Sequence, residues 1–405
     1  MMTVLLGFLV LLLWLAAAVL WLPSFVLFVE CLGARTVRER PVVTAPRPRI
    51  AILVPAHDEE SGITATLVPL RKGLAEGDRL VGVADNCSDA TARVAAEAGA
   101  EVIERQDPDR RGKGYALAFG VEHLAGLPPE VVVIIDADCA ISDEGVEQLA
   151  RMAAQMKRPV QAEYLLSPPA KPDARTAVGG LAFLVRNLVR PRGLARLGLP
   201  CQLTGSGMAF PWPLLRDAPP LRANLVEDLV LGIELALAGA APLPCSAVSI
   251  SSALPEPGLA QLKQRRRWEH GQLSTLLARG PRLLLAGIAR RRMELVAMAL
   301  DLMVPPLALL ASALAALSLV TGGAVLLGLS AGPWLLCLFA LALLLVAVAS
   351  AWWRFGRALL PARFLLAVPL YMLWKIPLYL GFFLRGRHRQ WERTARPSDT
   401  TTKRG

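Results

Sequence analysis

The residues from Leu302 to Trp353 include no charged side chain, and neither do those from Met1 to Phe28. Such runs leave few choices, because about 20 apolar residues suffice to cross a hydrocarbon core. The first run fits one span. The second fits two, broken near Thr321, Gly322 and Gly323 or at Ser330, Ala331, Gly332 and Pro333, where turn residues interrupt the Leu and Ala pattern. Phe364 to Leu384 is a third apolar region, but Lys375 lies inside it with Pro369 and Pro377 on either side. A straight span and a bent, re-entrant or interfacial segment both remain open there. The composition agrees, at 54% hydrophobic and 19% charged, against about 45–50% and about 25% in soluble domains. Disorder is excluded, and the 31 Pro and 32 Gly are too dispersed for a collagen-like or low-complexity chain.

The net charge of +11 could serve nucleic acid, anionic lipid or an anionic substrate, so position has to decide. Arg35, Arg38, Arg40, Arg47 and Arg49 follow the first apolar run and are opposed only by Glu39. The positive-inside rule places that side, and the polar middle of the chain, in the cytoplasm. The first run exceeds the 7–15-residue core of a signal peptide and has no positive charge before it, so an uncleaved anchor is expected. Arg354, Arg357 and Arg363 form a second basic stretch, and Arg385, Arg387, Arg389, Arg393 and Arg396 a third. If both lie inside, residues 364–384 cannot cross once, which favours the re-entrant reading. The expected layout is an anchor at 1–30, a cytosolic domain with interfacial helices at 45–290, a membrane region at 294–384 and a basic cytosolic tail at 385–405. A multi-pass protein of a bacterial inner membrane fits it. The six cysteines show no C-x-x-C and no His pairing at metal spacing, and no structural disulfide is expected.

Between Arg49 and Leu285 short apolar runs alternate with helical stretches. Strands are predicted at 50–54, 79–84, 101–104 and 131–135, and helices at 65–74, 89–98 and 114–124. This βαβ series predicts an α/β fold with an open, mostly parallel sheet and helices on both faces, which binds ligands beyond the carboxyl ends of its strands. Three of those ends are acidic: Pro55, Ala56, His57, Asp58 and Glu59; Asp85, Asn86, Cys87, Ser88 and Asp89; Asp136, Ala137 and Asp138. Asp and Asn commonly end strands and cap helices, which covers any one of these sites. Three on one edge repel unless a cation or ligand compensates them, and Asp136 with Asp138 at i, i+2 suits a hard divalent metal. No G-x-G-x-x-G follows the first strand, and Arg111 to Gly114 lacks both the leading Gly and the trailing Ser or Thr of a P-loop. Arg110, Arg111 and Lys113 read equally as phosphate contacts or as a solvated loop.

The ordered set Val-Pro-Ala-His-Asp-Glu (54–59), Asp-Asn-Cys-Ser-Asp (85–89), Arg-Gly-Lys-Gly (111–114), Asp-Ala-Asp (136–138), Thr-Gly-Ser-Gly (204–207), Glu-Asp (227–228) and Gln-Arg-Arg-Arg-Trp (264–268) resembles membrane-integrated family 2 glycosyltransferases. Cellulose, hyaluronan and poly-N-acetylglucosamine synthases belong there, with ceramide glucosyltransferases as motif relatives. The resemblance implies a GT-A glycosyltransferase fold plus transmembrane helices, a UDP-sugar donor and inversion at the anomeric carbon. It places Pro55, Asp58, Glu59, Asp85, Asn86, Lys113, Asp136 and Asp138 at the nucleotide sugar, with Asp138 and Asp136 holding Mg2+ or Mn2+. It makes Asp228, beside Glu227, the general base. Gly205, Ser206, Gly207, Gln264, Arg267 and Trp268 fall at the acceptor and diphosphate. The last three also read as an interfacial helix with snorkelling arginine and a headgroup tryptophan.

Departures from the pattern are Asp58 for Asn, Val226 for the Thr before Glu-Asp, and Thr204 to Gly207 in place of Phe-Cys-Gly, which argues against cellulose. Trp391, Arg393 and Thr394 resemble a W-x-R-T of polymerising members. Arg175, Arg186, Arg190, Arg192 and Arg196 alternate with apolar residues, as in an amphipathic segment on an anionic membrane face or in a helix packed on the sheet. Asp301, before Pro305 and Pro306, reads either as lining a glycan or lipid passage or as tucked against a helix end. The expected product is a polysaccharide for export or envelope use, with a single sugar on a lipid acceptor as the alternative and a silent membrane subunit or transporter as the second. Membrane lipids and accessory export subunits are the expected partners, with no nucleic acid.

Overall fold

The computed structural model describes residues 2–34, 46–167, 172–219, 227–253 and 259–385, with the backbone alone at 2, 3, 143, 259–265 and 385. Arg35, Arg38, Arg40, Val226 and the tail with Trp391, Arg393 and Thr394 lie outside the described residues, as does the side chain of Gln264.

Helix α1 (Met2–Gly33) precedes the series β1 (Ile50–Ala56), α2 (Ile63–Lys72), β2 (Arg79–Asp85), α3 (Thr91–Glu97), β3 (Glu101–Arg105), α4 (Lys113–Leu124) and β4 (Val131–Ile134). Each expected strand and helix is present within about two residues of its predicted ends. Next come β5 (Cys139–Ile141), α5 (Asp143–Met156) and β6 (Val160–Ser167). Helix α6 (Ala174–Leu184) runs through a π turn (Val185–Val189) into α7 (Arg190–Leu197). They lead to β7 (Met208–Pro211), α8 (Trp212–Arg216), α9 (Glu227–Leu237) and β8 (Leu243–Ala253). The strands form one sheet in the order β3-β2-β1-β4-β7-β6-β8-β5. The first four are mutually parallel. The other half is mixed, with β7 antiparallel to both β4 and β6 and β6 parallel to β8.

The β-branched strands sort by the two-residue pleat. Ile50, Ile52, Val54, Val131 and Val133 face a core built on α2, α3 and α5. Ala51, Leu53, Val81, Val83, Val132 and Ile134 face a second core under α4, α8 and α9. Both faces are covered, which is why these strands carry apolar residues without alternation.

After β8 come α10 (Leu259–Ala289), α11 (Met293–Leu302), α12 (Leu307–Leu326), α13 (Gly332–Ala351), a 3-10 turn (Ala362–Ala367) and α14 (Val368–Arg385). Among the described residues, four segments are long and apolar enough to cross a membrane: Val4–Gly33, Leu307–Leu326, Gly332–Gly356 and Ala362–Leu384. The break between the middle two falls at the second expected place, where Gly332 and Pro333 open α13. Gly322 instead lies inside α12 against the Trp334 ring. Lys375 is 1% exposed and ion-paired with Glu269 of α10, so the charge inside the third region is met by protein rather than lipid.

The arginines of 174–199 depart from a stripe facing lipid headgroups. Arg190 is buried and bridges Glu30 of α1 (2.6 Å) and Asp301 of α11 (2.5 Å). Arg192 pairs with Glu163 of β6, Arg186 donates to Gln272 of α10 at 2.8 Å, and Arg175 stacks over Trp374. Arg175, despite that stacking, and Arg196 are exposed. Burial of the facing carboxylates turned the stripe inward, because a buried charge has to find its opposite. Asp301 takes the tucked position.

Candidate active site

Strands β2, β1 and β4 are neighbours, so their carboxyl ends bring the three acidic loops to one edge of the sheet. Asp58 and Asn86, each with φ of 52°, turn the chain sharply as it leaves β1 and β2. Asp85 is buried and held by Arg105 at 2.6 Å and by the Asn86 amide at 3.0 Å. The Asn86 side-chain oxygen Oδ1 accepts from the Asp107 N–H. Asp58 accepts from the Ser88 N–H at 2.6 Å, and the Glu59 N–H donates to Thr91. These bonds lock the loops after β1 and β2 to each other. Pro55 is the half-buried residue before the turn. Arg110 and Arg111 are exposed, whereas Lys113 reaches inward.

Lys113 opens α4, donates to the Gly205 carbonyl at 2.8 Å and pairs with Asp136. The two side chains keep 22% and 27% of their surface exposed. Burial would depress the Lys113 ammonium, but Asp136, Glu227 and Asp228 outweigh it and hold the ammonium above its ordinary range. Burial raises the Asp136 carboxyl against the pull of Lys113. Ligand atoms of Asp136, Asp138 and Cys139 lie within 4.8 Å of one another and could hold an ion.

The Thr204–Gly207 loop sits across this group. Gly205 has φ of 96°, and a Cβ there would stand 3.3 Å from Asp228 Oδ2 and 3.5 Å from Lys113 Nζ. Backbone, carboxylate and ammonium therefore converge at one point that tolerates no side chain. Ser206 Oγ accepts the Asp136 N–H, and the Gly207 N–H donates to Ile134. Buried Gln161 ties the loop down, donating to the Ser206 carbonyl and accepting the Thr204 N–H.

Glu227 and Asp228 form the first turn of α9. Burial, then repulsion from Asp228, pushes Glu227 up to about 7. Burial also raises Asp228, although Lys113 and Arg186 counteract it. Arg267 of α10 is lowered by burial and feels Glu227 and Asp136, yet a guanidinium keeps its charge. Beside it Trp268 tilts against Phe183 at 5.9 Å, and Phe183 packs edge-on to Tyr164. Gly205, Asp136, Glu227 and Asp228 thus gather around Lys113, with Arg267 close enough to feel Glu227 and Asp136. Sequence reasoning missed Arg105, Gln161 and Glu269 and read Arg186 only as part of an amphipathic stripe, because their positions are set by distant elements and they belong to no motif.

Residues 46–271, more than half of the chain, match the model of the glycosyltransferase like family 2. The chain belongs to glycosyltransferase family 2. Over 139 residues this family 2 chain is 32% identical to the low-salt glycan biosynthesis hexosyltransferase Agl6 of Haloferax volcanii, covering 33% of this chain and 32% of that protein. It thus spans about a third of the length of that curated relative. The mannosyltransferase PcManGT from Pyrobaculum calidifontis, solved with GDP-Man and Mn2+, superposes with a TM-score of 0.51 at 18% identity over 86% of this chain and 99% of that one. The fold is GT-A, a mixed sheet with helices on both faces.

Proposed function

We propose that this family 2 chain is a membrane-embedded inverting glycosyltransferase. It transfers a sugar from a nucleoside diphosphate donor, a UDP-sugar by motif, to a growing polysaccharide for export or envelope use. The supporting observation is the convergence of Asp228, Lys113 and Gly205 beside Asp136 and Asp138.

Asp228 takes the proton from the acceptor hydroxyl as that oxygen attacks the anomeric carbon, and the nucleoside diphosphate leaves from the opposite face. A carboxylate raised above its ordinary range is a better base, and burial supplies that here. Lys113 and Arg267 offer cationic donors to the diphosphate, and Asp85 with Asn86 and Asp58 frames the nucleoside end, with Pro55 and Glu59 shaping the turn. Gly205 to Gly207 allows close approach of the donor to the base.

The carboxylates of Asp136 and Asp138 are hard oxygen donors suited to Mg2+ or Mn2+. A bound ion of this class supplies charge neutralisation for the leaving diphosphate. The mannosyltransferase with the same fold was solved with GDP-Man and Mn2+, which supports a metal-dependent nucleotide-sugar reaction and leaves the base open between uridine and guanosine.

A lipid-borne acceptor is the second reading. Trp268 is followed by Glu269 and His270, which hold Lys375 and Leu378 of α14, so the acceptor platform adjoins an apolar helix. The four apolar segments support a multi-pass inner-membrane protein with the catalytic domain in the cytoplasm. The decisive experiment incubates detergent-purified chain with Mn2+ and a panel of labelled nucleotide sugars. A polymer ladder supports the first reading and a single organic-extractable product the second. Turnover of none, with no glycan change in an Asp228→Asn strain, leaves a silent subunit or transporter.

A further inference from the structure

Two side chains at the nucleoside end have no part in the transfer chemistry, His57 after β1 and Cys87 after β2. His57 Nδ1 lies 2.7 Å from the Asp85 carbonyl. A carbonyl only accepts, so Nδ1 carries the proton and Nε2 the lone pair. Metal-binding histidines are commonly oriented in this way, their other ring N–H bonded to a carbonyl. Nε2 lies 3.7 Å from Asp58 Oδ2. The other Asp58 oxygen accepts the Ser88 N–H at 2.6 Å, which fixes the carboxylate. The Asp58 N–H in turn points at Cys87 Sγ, 3.4 Å away. Ligand atoms of His57, Asp58 and Cys87 all lie within 4.8 Å of one another. Tetrahedral zinc bonds of about 2.0–2.3 Å separate neighbouring ligands by about 3.3–3.8 Å, so only a small closure is needed. An N, O, S set selects borderline ions such as zinc, whereas the carboxylates at Asp136 and Asp138 suit hard ions.

We propose that His57 Nε2, Asp58 Oδ2 and Cys87 Sγ form a second metal site of zinc class with a water in the fourth position, and that its occupancy closes the nucleoside end of the donor cleft. Binding forms a metal–sulfur bond and releases the Cys87 thiol proton to solvent, with no electron transferred. The binding claim stands on these three residues alone, whereas the inhibition claim rests on the donor-cleft reading above.

Cobalt(II) added to the full chain in detergent is the probe. A thiolate-to-cobalt charge-transfer band is expected with millimolar Mg2+ present. It should vanish in Cys87→Ser, persist in Cys139→Ser and need about 10-fold or more cobalt in His57→Gln. Absence of the band, or its loss in Cys139→Ser, overturns the site. In the transfer assay, Zn2+ should raise donor KM in the wild type and leave Cys87→Ser unaffected. Equal inhibition of both overturns the regulatory claim. A cobalt band in a chain that turns over no sugar keeps the site and rejects the proposed function instead.

Discussion

Asp228, the proposed general base, takes its titration behaviour from its surroundings. Burial raises its carboxyl against the pull of Lys113 and Arg186, so the deprotonated form that a base requires is reached only at a higher pH than for an ordinary aspartate. The acid limb of kcat should therefore lie above the usual 3.8, and activity should fall as pH drops through it, measured on initial rates. Asp228→Asn should cost about 10²–10⁴-fold in kcat while nucleotide binding, followed by calorimetry, persists. Gly205→Ala should lower kcat too, because its methyl would stand 3.3 Å from the Asp228 oxygen in a backbone with positive φ. The motif residues of the site were legible because their chemistry is local to short segments. Gln161 was not, since a glutamine in β6 betrays no link to a loop more than forty residues away until the strands are aligned.

At the scale of elements, the junction of α1 and α7 depends on a close approach and a buried charge cluster. A Cβ at Gly193 would fall 2.0 Å from the Glu30 carbonyl, so Gly193→Ala should force the helices apart and lower the melting temperature in detergent. Arg190 holds Glu30 and Asp301 together out of water. Removing one partner of such a buried set costs about 3–5 kcal/mol, and Arg190→Leu should show that loss in chemical or thermal unfolding. Periodicity located the helix carrying Arg190 but left its direction open, because an arginine stripe can face lipid or fold inward with equal hydrophobic pattern. The π turn at Val185–Val189 lies between the helical stretches that hold Arg175 and Arg190, and its one-residue register change is not encoded in any repeat.

For the whole molecule, the apolar helices and the catalytic sheet are joined through α10. Its Arg267 feels Glu227 and Asp136, while Glu269 and His270 hold α14. In the proposed membrane topology, the course of 364–384 decides which side the tail occupies. A re-entrant path keeps it with the catalytic domain, so Ser398→Cys in a Cys87→Ser background should react with an impermeant thiol reagent only after cells are opened. Labelling of intact cells would assign a full crossing.

The apolar segments, the βαβ series and the motif residues were legible in the chain alone, because hydropathy, strand period and short-range chemistry are properties of contiguous residues. The folded arrangement was needed to learn that the sheet turns mixed after β4, that Lys113 reaches both Asp136 and Gly205, and that Arg190 and Lys375 are satisfied inside protein. Those outcomes depend on contacts between residues far apart in the chain, where the cost of leaving a buried charge unpaired selects the partner.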